Sequence, residues 1–460
     1  MKYFSDYNGQ GGIKELLALA APMVISSACD GVMTFTDRLF LARIGSEQMN
    51  AAMGGAVALQ VLMFFFIGLT GYSTALVAQY FGAGEHSNTT VAAFQAMLIT
   101  LIAWPVILIL KPLLQIYLSV MNIPAPQFAY QIEYMDVLAW GSVFSLMRYT
   151  IGCYFTGIGK TRIVMGATIT AMLVNIILDY ILIFGKLGLP EMGVRGAAIA
   201  TNTGSFCAVV VLGFAYLGRA NRSAFAVFSS FRFDRTIMKK LLYYGYPAGL
   251  EFFLNFLAFS AMISLFQGQG EHVATATTIL FNWDLVSYIP LVGIEIAVTS
   301  LVGRYMGART PDTAYRSAIS GIKTGIFYSV TVLFFFVFCT ETLVRVFSPE
   351  QYSSVFERAV PLATGMLRLA ALYVLFEAIL AATIGALRGA GDTHFTMMAS
   401  VIGHWTFVPI IYISLNVLKL SVIISWLLMI VFFLIFCITL IFRFRSGKWK
   451  SIRVIDSTAS

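Results

Sequence analysis

The chain has 460 residues, of which 59% are hydrophobic and 11% charged, with a formal net charge of +8. So little charged surface excludes a soluble protein of this length and marks a polytopic membrane protein. The basic residues sit in short loops between apolar runs, as membrane topology determinants do, so the positive charge is no sign of nucleic-acid binding.

Windows of about 20 apolar residues predict twelve membrane spans. They lie near 16–41, 51–79, 91–118, 129–157, 163–184, 196–217, 241–267, 276–303, 319–340, 360–388, 394–416 and 420–443. Met1 to Gly12 is polar, and the first apolar run lacks a cleavage site, so no cleavable leader is expected. That first span carries Pro22, Asp30 and Asp37. An ionised carboxylate in hydrocarbon costs at least about 2.5 kcal/mol, so each acid needs a wet cavity, a partner or a proton. Seven residues separate the two, which puts them within roughly 20° of one another on a helix. Asp30 either faces a cavity or pairs with a basic side chain.

In the fifth span, Asn175 and Asp179 are four apart and share a face. Asp37 and Asp179 lie near the outer ends of their spans, and Thr201 lies at a matching depth in the sixth. Two carboxylates, an amide and a hydroxyl are therefore placed to converge in the outer half of the first bundle. All are oxygen donors, suited to a hard monovalent cation, and a desolvated carboxylate pair also suits proton carriage. The same residues would serve as a hydrogen-bonded clamp between helices.

The stretch from Arg219 to Lys240 is the most polar in the chain and reads as a linker between two halves of six spans. A shift of 225 residues places Lys14 on Lys239, Pro22 on Pro247, Gly68 on Gly293, Tyr80 on Tyr305 and Gly82 on Gly307. A shift of 232 places Gly157, Gly159 and Thr161 on Gly389, Gly391 and Thr393. This is an internal duplication. An even number of spans per half makes the repeats parallel, as in transporters that rock two bundles about a central site. The expected fold is an all-α membrane protein with twelve transmembrane helices in two pseudo-symmetric six-helix bundles. Its expected parts are an N-terminal lobe at 1–218, a linker at 219–240, a C-terminal lobe at 241–443 and a tail at 444–460.

The second half adds Glu251, Asp284, Glu295 and Glu377. Glu251 and Asn255 share a helical face, as do Asp284 and Glu295, with Pro290 between the latter. Packing alone is a poor explanation for four acids in an apolar half. They read as cavity residues or a second ion site, some of them paired with Arg368 or with loop bases. The five cysteines and four histidines show no spacing for a disulfide framework or a metal site.

Putting both termini on one side collects most Lys and Arg there, from Lys2 and Lys14 to the tail at 443–453, so both termini are expected in the cytoplasm. Asn88-Thr-Thr then lies on the wrong side for glycosylation. Gly389-Ala-Gly-Asp392 matches the GxGD of intramembrane aspartyl proteases, but Asp392 falls in a charged turn whose repeat counterpart is Lys160. No enzyme is expected.

Several stretches carry a resemblance over nearly the whole length: VAQYFGAGE at 77–85, GIGKTR at 157–162, the long run from Asn175 to Thr201, YIPLVG at 288–293, VGRYMGA at 302–308, and LFEAILAATIGALRGAGDT at 375–393. Through them the chain resembles the multidrug and toxic compound extrusion transporters. The resemblance implies efflux of organic cations in exchange for protons or sodium ions, with Asp37, Asn175 and Asp179 as the N-lobe ion site and Thr201 a weaker match. It implies no cofactor. Glu377 falls at the tenth-helix acid of members with a C-lobe site, whereas their seventh-helix glutamate falls here on Asn255, one turn after Glu251. Asp284 and Glu295 stand where many members have small or neutral residues, which suggests drug contact.

The expected function is an alternating-access antiporter whose partners are small organic cations, a coupling ion and the lipid bilayer, with the chain a monomer in the cell membrane. Two rivals remain. A flippase for lipid-linked precursors would line its cavity with arginines. A non-transporting receptor or scaffold would have little use for buried acids in duplicated lobes.

Overall fold

A computed structural model describes residues 7–119, 123–349 and 352–455. Lys2 and the end of the tail lie outside the described residues, as do the loop positions between these ranges. Among the described residues there is no strand, and twelve long helices carry the chain: α1 (Ile13–Ile44), α2 (Ser46–Gly82), α3 (His86–Ser119), α4 (Ala125–Gly157), α5 (Thr161–Ile183), α6 (Gly193–Leu217), α7 (Arg235–Gln267), α8 (Glu271–Gly307), α9 (Pro311–Phe338), α10 (Ser354–Ala390), α11 (Thr393–Tyr412) and α12 (Val422–Arg445). Helices are what an apolar chain in lipid must form, because each satisfies its own backbone groups. Eleven are long and apolar enough to cross a membrane. The twelfth, α4, is as long as its neighbours and carries Glu133, Asp136 and Arg148.

The helices outrun the predicted spans at most ends. α7 starts at Arg235, within the stretch read as linker, because Asp234 accepts from the backbone of Thr236 and Ile237, both at 2.9 Å, and so begins the helix. α2 is interrupted at Tyr72, between its segments Ser46–Gly71 and Ser73–Gly82.

The chain forms two compact units. One comprises Leu19–Phe253 with Gly307–Arg309. Here small and hydroxyl side chains knit the helices: Ser26 on α1 meets Thr168 on α5 at 2.8 Å, and Thr100 on α3 meets Thr150 on α4 at 2.9 Å. α5 and α6 approach closely at Gly204, where a Cβ would lie 2.7 Å from the carbonyl oxygen of Ala171. The start of α7 belongs to this unit, and Tyr244 stacks on Tyr72 with centroids 5.6 Å apart.

The other unit takes Leu254–Met306, Thr310–Arg453 and the described part of the first 18 residues. Its core gathers about α10 and the fully buried Trp426, whose indole donates to the carbonyl of Met366 at 3.1 Å. Glu15, in the first turn of α1, lies within this unit and accepts from Tyr305 at 2.7 Å and Arg304 at 3.3 Å.

The duplicated turns have the same local form. Gly159 and Gly391 both adopt left-handed conformations, at φ 78° and 94°. In each turn the next residue's amide reaches back five positions, from Lys160 to Phe155 at 2.7 Å and from Asp392 to Leu387 at 2.8 Å.

Candidate ion site

α1, α5 and α6 bring together the four residues read as the N-lobe cluster. Asp37 is 6% exposed, and Asn175 and Asp179 are fully buried. The amide Nδ2 of Asn175 donates to Asp37 Oδ1 at 3.2 Å, and the hydroxyl of Thr201 donates to Asp37 Oδ2 at 3.1 Å. The Asp37 and Asp179 carboxyl groups are close neighbours in this buried site. Neither oxygen of Asp179 meets a donor, nor does Oδ1 of Asn175. Buried polar atoms are costly when unsatisfied. The two carboxylate oxygens of Asp179 and the amide oxygen of Asn175, buried without a donor, have the chemistry to accept a proton or a hard cation.

The apolar surround comes from α1, α2, α4, α5 and α6, through Leu41, Ala52, Ile183, Val194 and Ala197. It also includes Tyr134, whose phenol group lies within electrostatic reach of Asp37 and Asp179. Sequence reasoning missed Tyr134. The only available signal was its depth in α4, and periodicity cannot say which helix face meets a carboxylate on another helix.

Asp30 takes the second of its two expected courses: Arg148 on α4 binds its Oδ1 at 2.9 Å. Sharing a helix face with Asp37 did not bring it into the cluster.

In the C-terminal unit, Asp284 on α8 accepts from the Tyr373 hydroxyl on α10 at 2.7 Å, with Glu377 beside it. Tyr288 and Tyr328 lie within electrostatic reach of Glu377, and the Tyr328 hydroxyl donates to the carbonyl of Ser287 at 3.0 Å. Glu295 leaves this group and pairs with Arg388 at 2.5 Å, the second of the two expected kinds of partner, a base at the end of a span. Asp284 and Glu295 thus both turn toward α10, as their spacing predicts, but to different partners. Asn255 donates to Ser400 on α11 at 2.8 Å. Glu251 is 2% exposed and falls in the unit of Leu19–Phe253, although it lies in the second half of the chain. Asp392 is held by Arg443, Nε to Oδ2 at 2.7 Å and Nη2 to Oδ1 at 3.1 Å, a structural ion pair at the start of α11.

A family model described as MatE matches the chain twice, over residues 22–181 and 247–413, starting on the two prolines that the 225-residue shift superposes. The probable multidrug resistance protein NorM of Thermotoga maritima is 26% identical over 452 residues, 96% of this chain and 94% of its own. The multidrug resistance protein PmpM of Pseudomonas aeruginosa is 28% identical over 403 residues, 85% of this chain and 82% of its own. A solved MOP superfamily transporter from Pyrococcus furiosus shares the fold, with a TM-score of 0.86 at 19% identity over 97% of this chain and 98% of its own.

Proposed function

The chain belongs to the MatE family, and from that premise we propose that it is an antiporter exporting organic cations in exchange for a proton or a sodium ion. Members of this family are membrane transporters and not enzymes, and they work without a cofactor. The observation that carries the ion site is the buried set of oxygens without donors, on Asp179 and Asn175, held against Asp37. Thr201 completes it.

In the proposed cycle the ion loads this cluster when the outer face is open. Neutralising the carboxylates changes how α1, α5 and α6 pack, and the change releases the organic cation. Coupling requires the ion to bind the two conformations unequally. Asp284, Glu377 and Glu251 supply negative charge toward the cationic substrate, and the hydroxyl of Tyr373 holds Asp284 in place. The flippase reading fares worse, because Arg148 is engaged by Asp30 and is not free for a pyrophosphate.

The working unit is a monomer in the cell membrane. Its two six-helix lobes, 1–218 and 241–443, flank the linker at 219–240, and the tail at 444–460 follows. The bias of Lys and Arg supports a cytoplasmic position for both termini. The deciding experiment is ethidium efflux from proteoliposomes under a pH gradient alone and a sodium gradient alone. One gradient should drive efflux in the native protein and fail to do so in Asp37→Asn. Normal driven efflux by a folded Asp37→Asn variant would overturn the ion site.

A further inference from the structure

The segment between α6 and α7 is built and anchored. Gln95 on α3 donates to the carbonyl of Arg232 at 2.9 Å and accepts from the amide of Asp234 at 3.2 Å. Thr90 donates to the carbonyl of Phe225 at 2.9 Å, and Phe94 packs edge-on against Phe231. This fixed segment nonetheless leaves Phe228, Phe231 and Phe233 exposed. Between 219 and 240 it carries six bases, Arg219, Arg222, Arg232, Arg235, Lys239 and Lys240, against the single acid Asp234. That acid is turned onto the first amides of α7, leaving the surface strongly positive.

A groove of about 480 Å³ opens here, lined by Phe233, Arg235, Lys239, Leu242, Tyr243 and Tyr246. Those on α7 recur at helical spacing and form one exposed stripe. Its cations lie at the helix start and its apolar and aromatic side chains further along. From residue 235 to 246 the helix rises about 16 Å, close to half of the roughly 30 Å hydrocarbon core of a bilayer. Charge at one end of this stripe and an apolar track of about 6 Å at the other, from Leu242 to Tyr246, match the polarity of a phospholipid headgroup and the first part of its acyl chain.

We propose that this groove binds an anionic phospholipid, its phosphate held by Arg235 and Lys239 and its acyl chain laid along Leu242, Tyr243 and Tyr246. Exposed aromatics are suited to the headgroup level, where a ring has one apolar and one wet side. An acidic protein segment would satisfy the cations but would leave the apolar track uncovered.

The test is native mass spectrometry of the full chain in detergent, titrated with phosphatidylglycerol or phosphatidylcholine. The native protein should retain phosphatidylglycerol preferentially. Each of Arg235→Gln and Lys239→Gln should weaken retention about five-fold, the scale of one cation near an anionic surface. Arg235→Lys should preserve it, and Leu242→Asn should weaken it with no change of charge. All these positions are exposed, and unchanged gel-filtration profiles establish that the variants fold. Equal retention of both lipids, undiminished retention in the double glutamine variant, displacement by excess inorganic phosphate, or equal retention of a polyglutamate peptide would each overturn the proposal.

Discussion

Asn175 on α5 donates its side-chain amide to Oδ1 of Asp37 on α1 at 3.2 Å, while its own Oδ1 stays buried without a donor. Asn175→Ala therefore separates the two coupling ions by sign. A sodium site loses an oxygen ligand, so the half-maximal sodium concentration should rise. A proton site loses a donor that favours the ionised carboxylate, so the pH of half-maximal drive should move up by about one unit. The measurement is ethidium efflux as a function of each ion; unchanged half-points would remove Asn175 from the site.

Asp179→Asn should cut gradient-driven efflux at least about tenfold, in the usual range of coupling free energies. The protein should still fold, because the amide keeps the carboxyl's volume and brings a donor to a buried site whose Asn175 Oδ1 has none. Efflux near the native level at normal expression would exclude Asp179 from coupling.

Arg443→Gln should destabilise the C-terminal unit by about 2–3 kcal/mol. Removing one partner of a buried pair costs about 3–5 kcal/mol, and the partial exposure of Arg443, 22% against 7% for Asp392, lowers that figure. The double variant Asp392→Asn/Arg443→Gln should recover part of the loss. Thermal midpoints from fluorescence-detected size exclusion provide the check, and a double variant no better than the single would contradict the pairing.

Gly389→Ala and Gly213→Ala should differ in sign. A Cβ on Gly389 would lie 2.6 Å from the carbonyl oxygen of Thr299 on α8, backbone that cannot swing aside. Overpacking of this kind costs about 1–3 kcal/mol. Around Gly213 nothing lies within 4 Å, so alanine should be neutral or stabilise by up to about 1 kcal/mol. The same thermal assay ranks the two.

Much of this was legible in the residues. The apolar runs announce the twelve helices, and the 225-residue shift announces the repeat that the MatE match finds again. Asp37, Asn175, Asp179 and Thr201 were readable as a group because spacing within one helix and depth within the membrane are both properties of sequence. What spacing cannot supply is the identity of the neighbouring helix. Tyr134 beside the acids, Tyr373 on Asp284, Arg148 on Asp30 and Arg388 on Glu295 are all such pairings. α7 also starts ahead of the span read at 241, because the charged stretch read as linker continues into the helix once Asp234 caps it.

Thr201 has one hydroxyl hydrogen and two acceptors at the same distance, Asp37 Oδ2 and the carbonyl of Ala197, both 3.1 Å away. A single hydrogen serves one of them at a time. When the carboxylate is discharged, the hydroxyl has a second resting place one turn back on its own helix, and α6 keeps its shape. Arrival and departure of charge are then met first by a bond rotation, which keeps this hydroxyl satisfied on either side of the slower repacking of the helices.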